Sequence, residues 1–337
     1  MSLTIAMQTA VSGLNAAQVA LQVTSANVSN ANTPGYTAKI ANFETNVLNG
    51  YGAGVLNTSV VRNVDLALQQ QLRDQTSTAN QYDTLNSFYQ QMQQMFGSLQ
   101  ASGDSSFVGS ADSFESAMQA LALNPSGVAN QSSVVNAAQN LTQQLNNMGS
   151  QLQGMREQAD NQISDSVSTI NTQLQNISDL NQQISRNIAL NLPTGDLEDQ
   201  RDTAINTISQ QMDITYFQRP NGEVSIYTKG GQTLLDQQPQ LLSYTPASSM
   251  SPTVSYANGG VGGIMLGGVD ITNQIGSGTM GALINVRDSV VPDLYAQVDQ
   301  FSSTLSNQVN AAQNEGTAYP PPNSLTGTHS FVAGDTL

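Results

Sequence analysis

Apolar residues recur three and four positions apart over most of this chain, the spacing that lays a stripe along one side of a helix. The first stripe is Leu3, Met7, Ala10, Leu14, Ala17, Leu21, Thr24, Val28 and Ala31, and it predicts an amphipathic helix over residues 1–31. Alternating fours and threes are heptad spacing, which makes a narrow seam that wants a partner helix. Ala and Thr thin this seam, so the helix alone is expected to be marginal and loosely docked in the monomer. Leu3, Met7, Leu14, Leu21 and Val28 are therefore its candidate assembly residues. A second helix is predicted from about 64 to 96 on Leu68, Leu72, Leu85, Phe88, Met92 and Met95. A short one follows over 111–123, stopped by Asn124-Pro125. The longest seam runs from Ala138 through Leu152, Ile163 and Leu174 to Ile188, a rod of roughly 75 Å at helical rise. Helices are also predicted at about 196–212 and, on Val291, Leu294, Val298, Phe301, Leu305, Val309 and Ala312, at 289–313.

Between the stripes lie breaks with their own chemistry. Asn32, Thr33, Pro34, Gly35 and Tyr36 read as a type II turn, with Pro34 fixing φ and Gly35 supplying a positive φ. Residues 36–60 look irregular to extended, interrupted by Gly50, Gly52 and Gly54. Ser98 to Ser110 and Asn191 to Gly195 are loop-like. Ile214, Tyr216, Val224 and Ile226 flank Asn221-Gly222, a strong hairpin signal. The pattern predicts a mainly α fold with a β-rich insertion: an elongated, multi-helix, coiled-coil-like bundle plus a small β domain. Its parts are an N-terminal helix and extended linker (1–60), a helical bundle (61–212), a β-rich domain (213–278), a helix returning to the bundle (279–315) and a loop-like tail (316–337).

Composition narrows the function. Only 10% of residues are charged, and 9 Lys and Arg stand against 24 Asp and Glu, a net charge of −15. Nucleic acid and anionic membrane surfaces both need a basic footprint, and the only lysines are Lys39 and Lys229. No cysteine is present, which removes disulfides and thiolate metal sites. The start, Met1 to Met7, lacks the basic and apolar regions of a cleaved leader, and no run approaches a membrane span. Export, if it occurs, is expected to use another route.

Candidate chemistry is sparse. The single His329 sits in the tail without evident partners for a metal or nucleophile site. The acidic cluster Asp196, Glu198, Asp199 and Asp202 lacks the ligand pattern of a calcium loop. Spacing alone leaves a glycosidase carboxylate pair open. The structural reading is favoured, because acids in a first helical turn suit its positive end and Glu198 stands i,i+3 from Arg201. No catalysis and no cofactor are expected.

Three motifs carry a resemblance. Ser12-Gly13-Leu14-Asn15-Ala16-Ala17 through Asn27-Val28-Ser29-Asn30-Ala31-Asn32-Thr33-Pro34-Gly35-Tyr36-Thr37 is similar to the N-terminal signature of bacterial flagellar axial proteins. Rod and hook subunits typically read Asn-Asn-Ile-Ala-Asn and end Gly-Phe, so the wording resembles more the FlgK-type hook-associated family. Asp196-Leu197-Glu198-Asp199-Gln200-Arg201-Asp202 resembles that family's box, with Asp196, Asp199, Arg201 and Asp202 matching. Gly278-Thr279-Met280-Gly281 through Arg287-Asp288 and Pro292 resembles its segment returning to the helical domain.

The resemblance implies a structural subunit joining hook to filament, with an inner polymerising helical domain, a helical middle domain and a β-rich outer insertion. It implies as partners copies of itself, the hook protein, the second junction protein or flagellin, and an export chaperone for the full-length protein. It also implies an extracellular place in the flagellum, reached through type III export with an uncleaved signal. Family members end in a heptad helix that pairs with the first one. Here Leu337 falls in loop-like sequence, so a C-terminally truncated chain is expected, with chaperone binding and polymerisation resting on the missing part. Alternatives are another axial subunit (hook or second junction protein), a surface adhesin acting through its β domain, and, weakest, a glycosidase.

Overall fold

The computed structural model describes residues 3–48, 51–97 and 106–315. The tail 316–337 with His329, and residues 98–105 of the Ser/Gly-rich break, lie outside the described residues. In chain order come α1 (Leu3–Ser29), β1 (Lys39–Leu48), β2 (Tyr51–Arg62), α2 (Leu66–Phe96), α3 (Phe107–Leu123), α4 (Val128–Ala189) and α5 (Gly195–Gln211). Six short strands follow: β3 (Ile214–Gln218), β4 (Val224–Thr228), β5 (Thr233–Leu235), β6 (Leu242–Ser243), β7 (Met265–Leu266) and β8 (Val269–Asp270). The described chain closes with α6 (Gly278–Asn285), a π-helical turn (Val286–Val290) and α7 (Val291–Glu315). A mainly helical molecule with small antiparallel sheets is what the pattern predicts.

Helix ends follow local chemistry. Asp65 Oδ1 accepts from Ala67 N and Leu68 N at 2.9 and 3.1 Å, capping α2. Ser106 Oγ accepts from Gly109 N at 3.2 Å and caps α3. Asn191, with φ 53°, ends α4 in the left-handed region, while Leu192 N reaches back to Asn187 O at 2.8 Å. Along α4 the seam Leu141, Leu145, Met148, Leu152, Met155, Ala159, Ile163, Val167, Ile170, Leu174, Ile177, Leu180 and Ile184 is buried throughout.

The chain divides into two compact units. One holds the described residues of Met1–Asn80, Ser166–Ser243 and Ile264–Thr279; the other holds those of Gln81–Asp165, Tyr244–Gly263 and Met280–Leu337. In the first, β1 and β2 pair antiparallel from Lys39↔Arg62 to Leu48↔Tyr51, and β3-β4-β5 and β6-β7-β8 make two three-stranded antiparallel sheets. In the second, Phe107 packs edge-on against both Phe96 and Phe301, with centroids 6.1 and 5.4 Å apart. Residues 213–278 supply strands to the first unit and the segment Tyr244–Gly263 to the second.

Three expectations are corrected and one is made definite. The stretch after the first turn, expected irregular to extended, is extended: Ile40–Val47 finds an antiparallel partner, with register shifts at Asn42/Phe43 and Thr45/Val47. Helix α1 is not left without an internal partner: Ser12, Gly13, Ala16, Val19, Ala20, Val23, Ala26 and Asn27 are its covered positions, and it packs on β1 and β2. In the first half of α2 the buried residues are Arg73 and Ser77, whereas Leu68 and Leu72 are exposed. The 219–223 loop is longer than a two-residue Asn-Gly turn, since Pro220 makes Arg219 its first corner and Gly222 N donates to Arg219 O at 2.9 Å.

Candidate functional site

The signature of α1 and the acidic box of α5, far apart in sequence, meet in the first unit. Near the end of α1, Asn27 lies half-buried beside the start of β1. Its Nδ2 donates to Lys39 O at 2.8 Å and its Oδ1 accepts from Lys39 N at 2.9 Å. One amide thus gives the first residue of the strand the two bonds of a neighbouring strand. Tyr36 Oη donates to the same Oδ1 at 2.8 Å.

Between them the chain turns at Thr33–Tyr36. Tyr36 N donates to Thr33 O at 3.2 Å and Gly35 has φ 82°, which is type II geometry. A Cβ on Gly35 would stand 2.6 Å from Thr203 Oγ1 on α5, so close approach as well as backbone conformation demands glycine. Further up α1, Gly54 of β2 comes so near that an added Cβ would overlap Ser12 Oγ, and Ser12 Oγ accepts from Val55 N at 3.1 Å.

The turn delivers Thr37 and Lys39 to α5. Thr37 donates to Asp199 through both its backbone N, at 3.2 Å, and its hydroxyl. Lys39 Nζ pairs with Asp196 and stands 3.6 Å from Asp199 Oδ2, lying 4.2 Å from the centre of the Tyr36 ring. Across the ladder from Lys39, Arg62 reaches Glu198 at 2.7 Å, Asp199 at 3.0 Å and Asp202 at 2.5 Å. Arg73 of α2 adds a 2.9 Å pair to Asp202 and donates to Asn206 at 2.7 Å. Three cations from β1, β2 and α2 are therefore held by four carboxylates of α5.

The box arginine faces elsewhere. Arg201 is buried and donates to Asn181 Oδ1 on α4 and to Gly222 O, at 3.2 and 2.5 Å. It has no ion pair with Glu198, the i,i+3 partner predicted from sequence; Glu198 is taken by Arg62. Asn181 repeats the amide clamp seen at Asn27, with Nδ2 to Val224 O at 2.8 Å and Oδ1 from Val224 N at 3.0 Å. Gly222 must be glycine here too: its φ is 83°, and a Cβ would lie 2.3 Å from Ile188 Cδ1.

Burial pushes the Asp202 carboxyl up, but Arg62 and Arg73 outweigh it and hold the group below the usual carboxylate range. For Lys39, burial lowers the ammonium while Asp196 and Asp199 more than restore it, leaving it above its ordinary value. A depressed acid contributes stability above its unfolded pKa and loses it as pH falls through the folded one; a raised lysine contributes below its unfolded pKa and loses it as pH rises through the folded one. The clamp should therefore hold across a plateau from about pH 4 to about pH 10.5. Thermal melts across pH should fall on both flanks, and Asp202→Asn should flatten the acid one. An acid flank unaltered by that substitution would exclude Asp202 as its source.

Of the assembly residues predicted from sequence, Met7, Leu14, Leu21 and Val28 lie between 61% and 72% exposed; the Leu3 side chain is outside the described set. Asn32 to Gly35 are exposed and Tyr36 half-buried. Sequence reasoning missed Asn27, Thr37, Lys39, Arg62, Arg73 and Asn181. Scarcity was the available signal, since a chain with 9 basic residues has few to spare from its buried acids. Among the described residues no group of three or more His, Cys, Asp or Glu is placed to hold a metal ion. No described helix is long and apolar enough to cross a membrane.

Comparison with known proteins agrees with the motifs. Residues 7–37 match the family described as flagella basal body rod protein. The flagellar hook-associated protein 1 of Salmonella typhimurium is 28% identical over 317 residues, covering 91% of this chain and 56% of the relative. That of Bacillus subtilis is 25% identical, covering 92% and 67%. The solved flagellar hook junction protein FlgK of Burkholderia pseudomallei shares the fold, with TM-score 0.61 and 24% identity over 76% of this chain and 46% of that one. The chain thus spans little more than half the length of the Salmonella relative. Residues 89–322, most of the chain, match the helical domain of the flagellar hook-associated protein FlgK, and the chain belongs to that family.

Proposed function

We propose that the chain is a structural subunit of the bacterial flagellum, seated between hook and filament, that assembles through the exposed seam of α1 with further contacts from the bundle helices. The observation that carries this reading is the two-sidedness of α1. One face is taken by β1 and β2, while Met7, Leu14, Leu21 and Val28 leave a solvent-facing apolar stripe at heptad spacing on the other. Such a stripe on a monomer is the usual form of a surface kept for a partner helix. The partners on this reading are other copies, the hook protein, and the second junction protein or flagellin, with an export chaperone serving the full-length protein. Its place on this reading is outside the cell, in the flagellum. The ion cluster has a mechanical part: load on α1 and its hairpin passes to α5 through Lys39, Arg62 and Asp199. No catalytic step is assigned.

The test is Leu14→Asp with Leu21→Asp. Both side chains are exposed, so the melting temperature of the purified chain should barely move, within the ~0.5 kcal/mol usual for surface changes. Cells carrying both changes in the flagellar gene should export the subunit yet shed their filaments. Normal filaments and swimming would remove the α1 seam from the assembly.

A further inference from the structure

Asn is followed by Gly at Asn49-Gly50, Asn221-Gly222 and Asn258-Gly259. The first of these pairs lies outside the described residues. In such a pair the glycine has no Cβ to screen its main-chain nitrogen or to restrict its rotation. That nitrogen can give up its proton, bond to the asparagine Cγ and close a five-membered imide, while the side-chain nitrogen leaves as ammonia. Water then opens the ring at one carbonyl or the other. The product is Asp, or isoAsp with an extra carbon in the main chain. Ring closure needs nitrogen and Cγ in attacking geometry, so the tertiary structure decides which pair reacts.

The two described pairs are held differently. Gly222 N donates to Arg219 O at 2.9 Å, and Gly222 O is held by the buried Arg201 at 2.5 Å. Gly222 is itself buried, with Ile188 and Ile184 standing where a Cβ would go. Two residues on, Asn181 clamps both main-chain atoms of Val224. Turning the Asn221–Gly222 peptide toward its side chain therefore requires α4, α5 and β4 to part. Asn258 is held from within its own loop. Its Oδ1 accepts from Ser255 N and Gly260 N at 3.0 and 3.1 Å, and its Nδ2 donates to Thr253 O at 2.7 Å. Asn258 and Gly259 are exposed, and nothing lies within 4 Å of a Cβ built on Gly259. Bonds confined to an exposed loop open at little cost, whereas those tied to the core open at a cost approaching global unfolding. We infer that Asn258-Gly259 is a deamidation site of the folded protein, and that Arg201 and Asn181 keep Asn221-Gly222 out of the same reaction. Conversion takes the amide donor from Thr253 O. The adjoining carbonyls of Ser251 and Val254 hold the buried Arg156, at 3.1 and 2.8 Å, so ageing at Asn258 loosens the loop that seats this guanidinium.

The experiment ages the purified chain in warm, mildly alkaline buffer, which favours loss of the main-chain proton, with a parallel sample unfolded in urea. Peptide mass spectrometry that separates Asn, Asp and isoAsp follows both sites. In the folded chain Asn258 should convert at least about tenfold faster than Asn221, since only its loop opens cheaply. In urea, where the shared dipeptide alone counts, the two rates should come within about threefold of each other. Arg201→Lys should raise the folded-state rate at Asn221 and leave that at Asn258 unchanged, with circular dichroism reporting whether the variant keeps its helices. If that variant fails to fold, the comparison of folded and unfolded parent chain still decides. Asn258 converting no faster than Asn221 in the folded chain, or Asn221 converting as fast folded as in urea, would overturn the inference. A folded Arg201→Lys chain with an unaltered rate at Asn221 would remove the arginine from it.

Discussion

Arg62→Met is expected to detach the α1 hairpin module from α5 while leaving the β3–β4 region folded. Arg62 is nearly buried and contacts Glu198, Asp199 and Asp202 together. After the change Asp202 keeps Arg73, but Asp199 is left with Thr37 and a lysine 3.6 Å away. Removing one partner from a buried ion cluster costs about 3–5 kcal/mol, because the stranded charge stays out of water. Local openings should therefore become far more frequent. Hydrogen exchange across Lys39–Val47 and Gly52–Val61 should accelerate by at least a hundredfold, with amides of Val224–Thr228 protected as before. Adding Asp199→Asn should restore part of the protection by removing the stranded charge. Unchanged exchange in the hairpin would show that apolar packing of α1 alone holds it.

In the second unit the largest loss is expected from Arg287→Met. The π-helical turn Val286–Val290 seats this residue where it is fully buried. Its Nη1 stands 3.2 Å from Asp160 on α4, its Nη2 2.6 Å from Asp288, and the Tyr244 hydroxyl accepts from Nη1 at 2.6 Å. Tyr244 in turn donates to Asp160, whose other oxygen accepts from Ala247 N at 2.7 Å. Burial, then the hydrogen bond to Asp160, pushes the Tyr244 phenol far above its ordinary value, so it remains a donor. A π turn leaves carbonyls free of the regular ladder, and Arg156 Nε uses one, donating to Arg287 O at 3.0 Å. Without the guanidinium, Asp160 is a buried carboxylate facing a phenol and one amide. The cost should again be about 3–5 kcal/mol, a large part of a typical total stability of about 5–15 kcal/mol. Urea or thermal melts measure it directly. Asp160→Leu in the same chain should recover much of the loss, and a melt unchanged by Arg287→Met would refute the assignment.

Most helices were legible in the residues because their causes are local. A stripe needs only neighbours three and four away, so α4 was visible from Leu141 to Ile184 and proved buried along that length. Capping by Asp65 and the stop at Pro125 are equally local. The α7 stripe was legible as a helix but not as a core, since Phe301 and Val309 on it are exposed. The acidic box was visible as a cluster, and its composition suited a helix start. Its partners were not, because Thr37 and Arg62 lie 162 and 136 residues from the box residues they meet.

Sequence alone therefore determined the heptad stripes, the Thr33–Tyr36 turn, the lack of a basic footprint and the three family motifs. Each of these depends on residue types within a few positions or on the whole composition. The tertiary structure decided which face of α1 is covered, since both its stripe and its small-residue face fit a helix and only the position of β1 and β2 selects one. It also decided which cation each carboxylate holds. Charge pairing follows distance in space, and antiparallel pairing of Lys39 with Arg62 is what brings two cations side by side before α5.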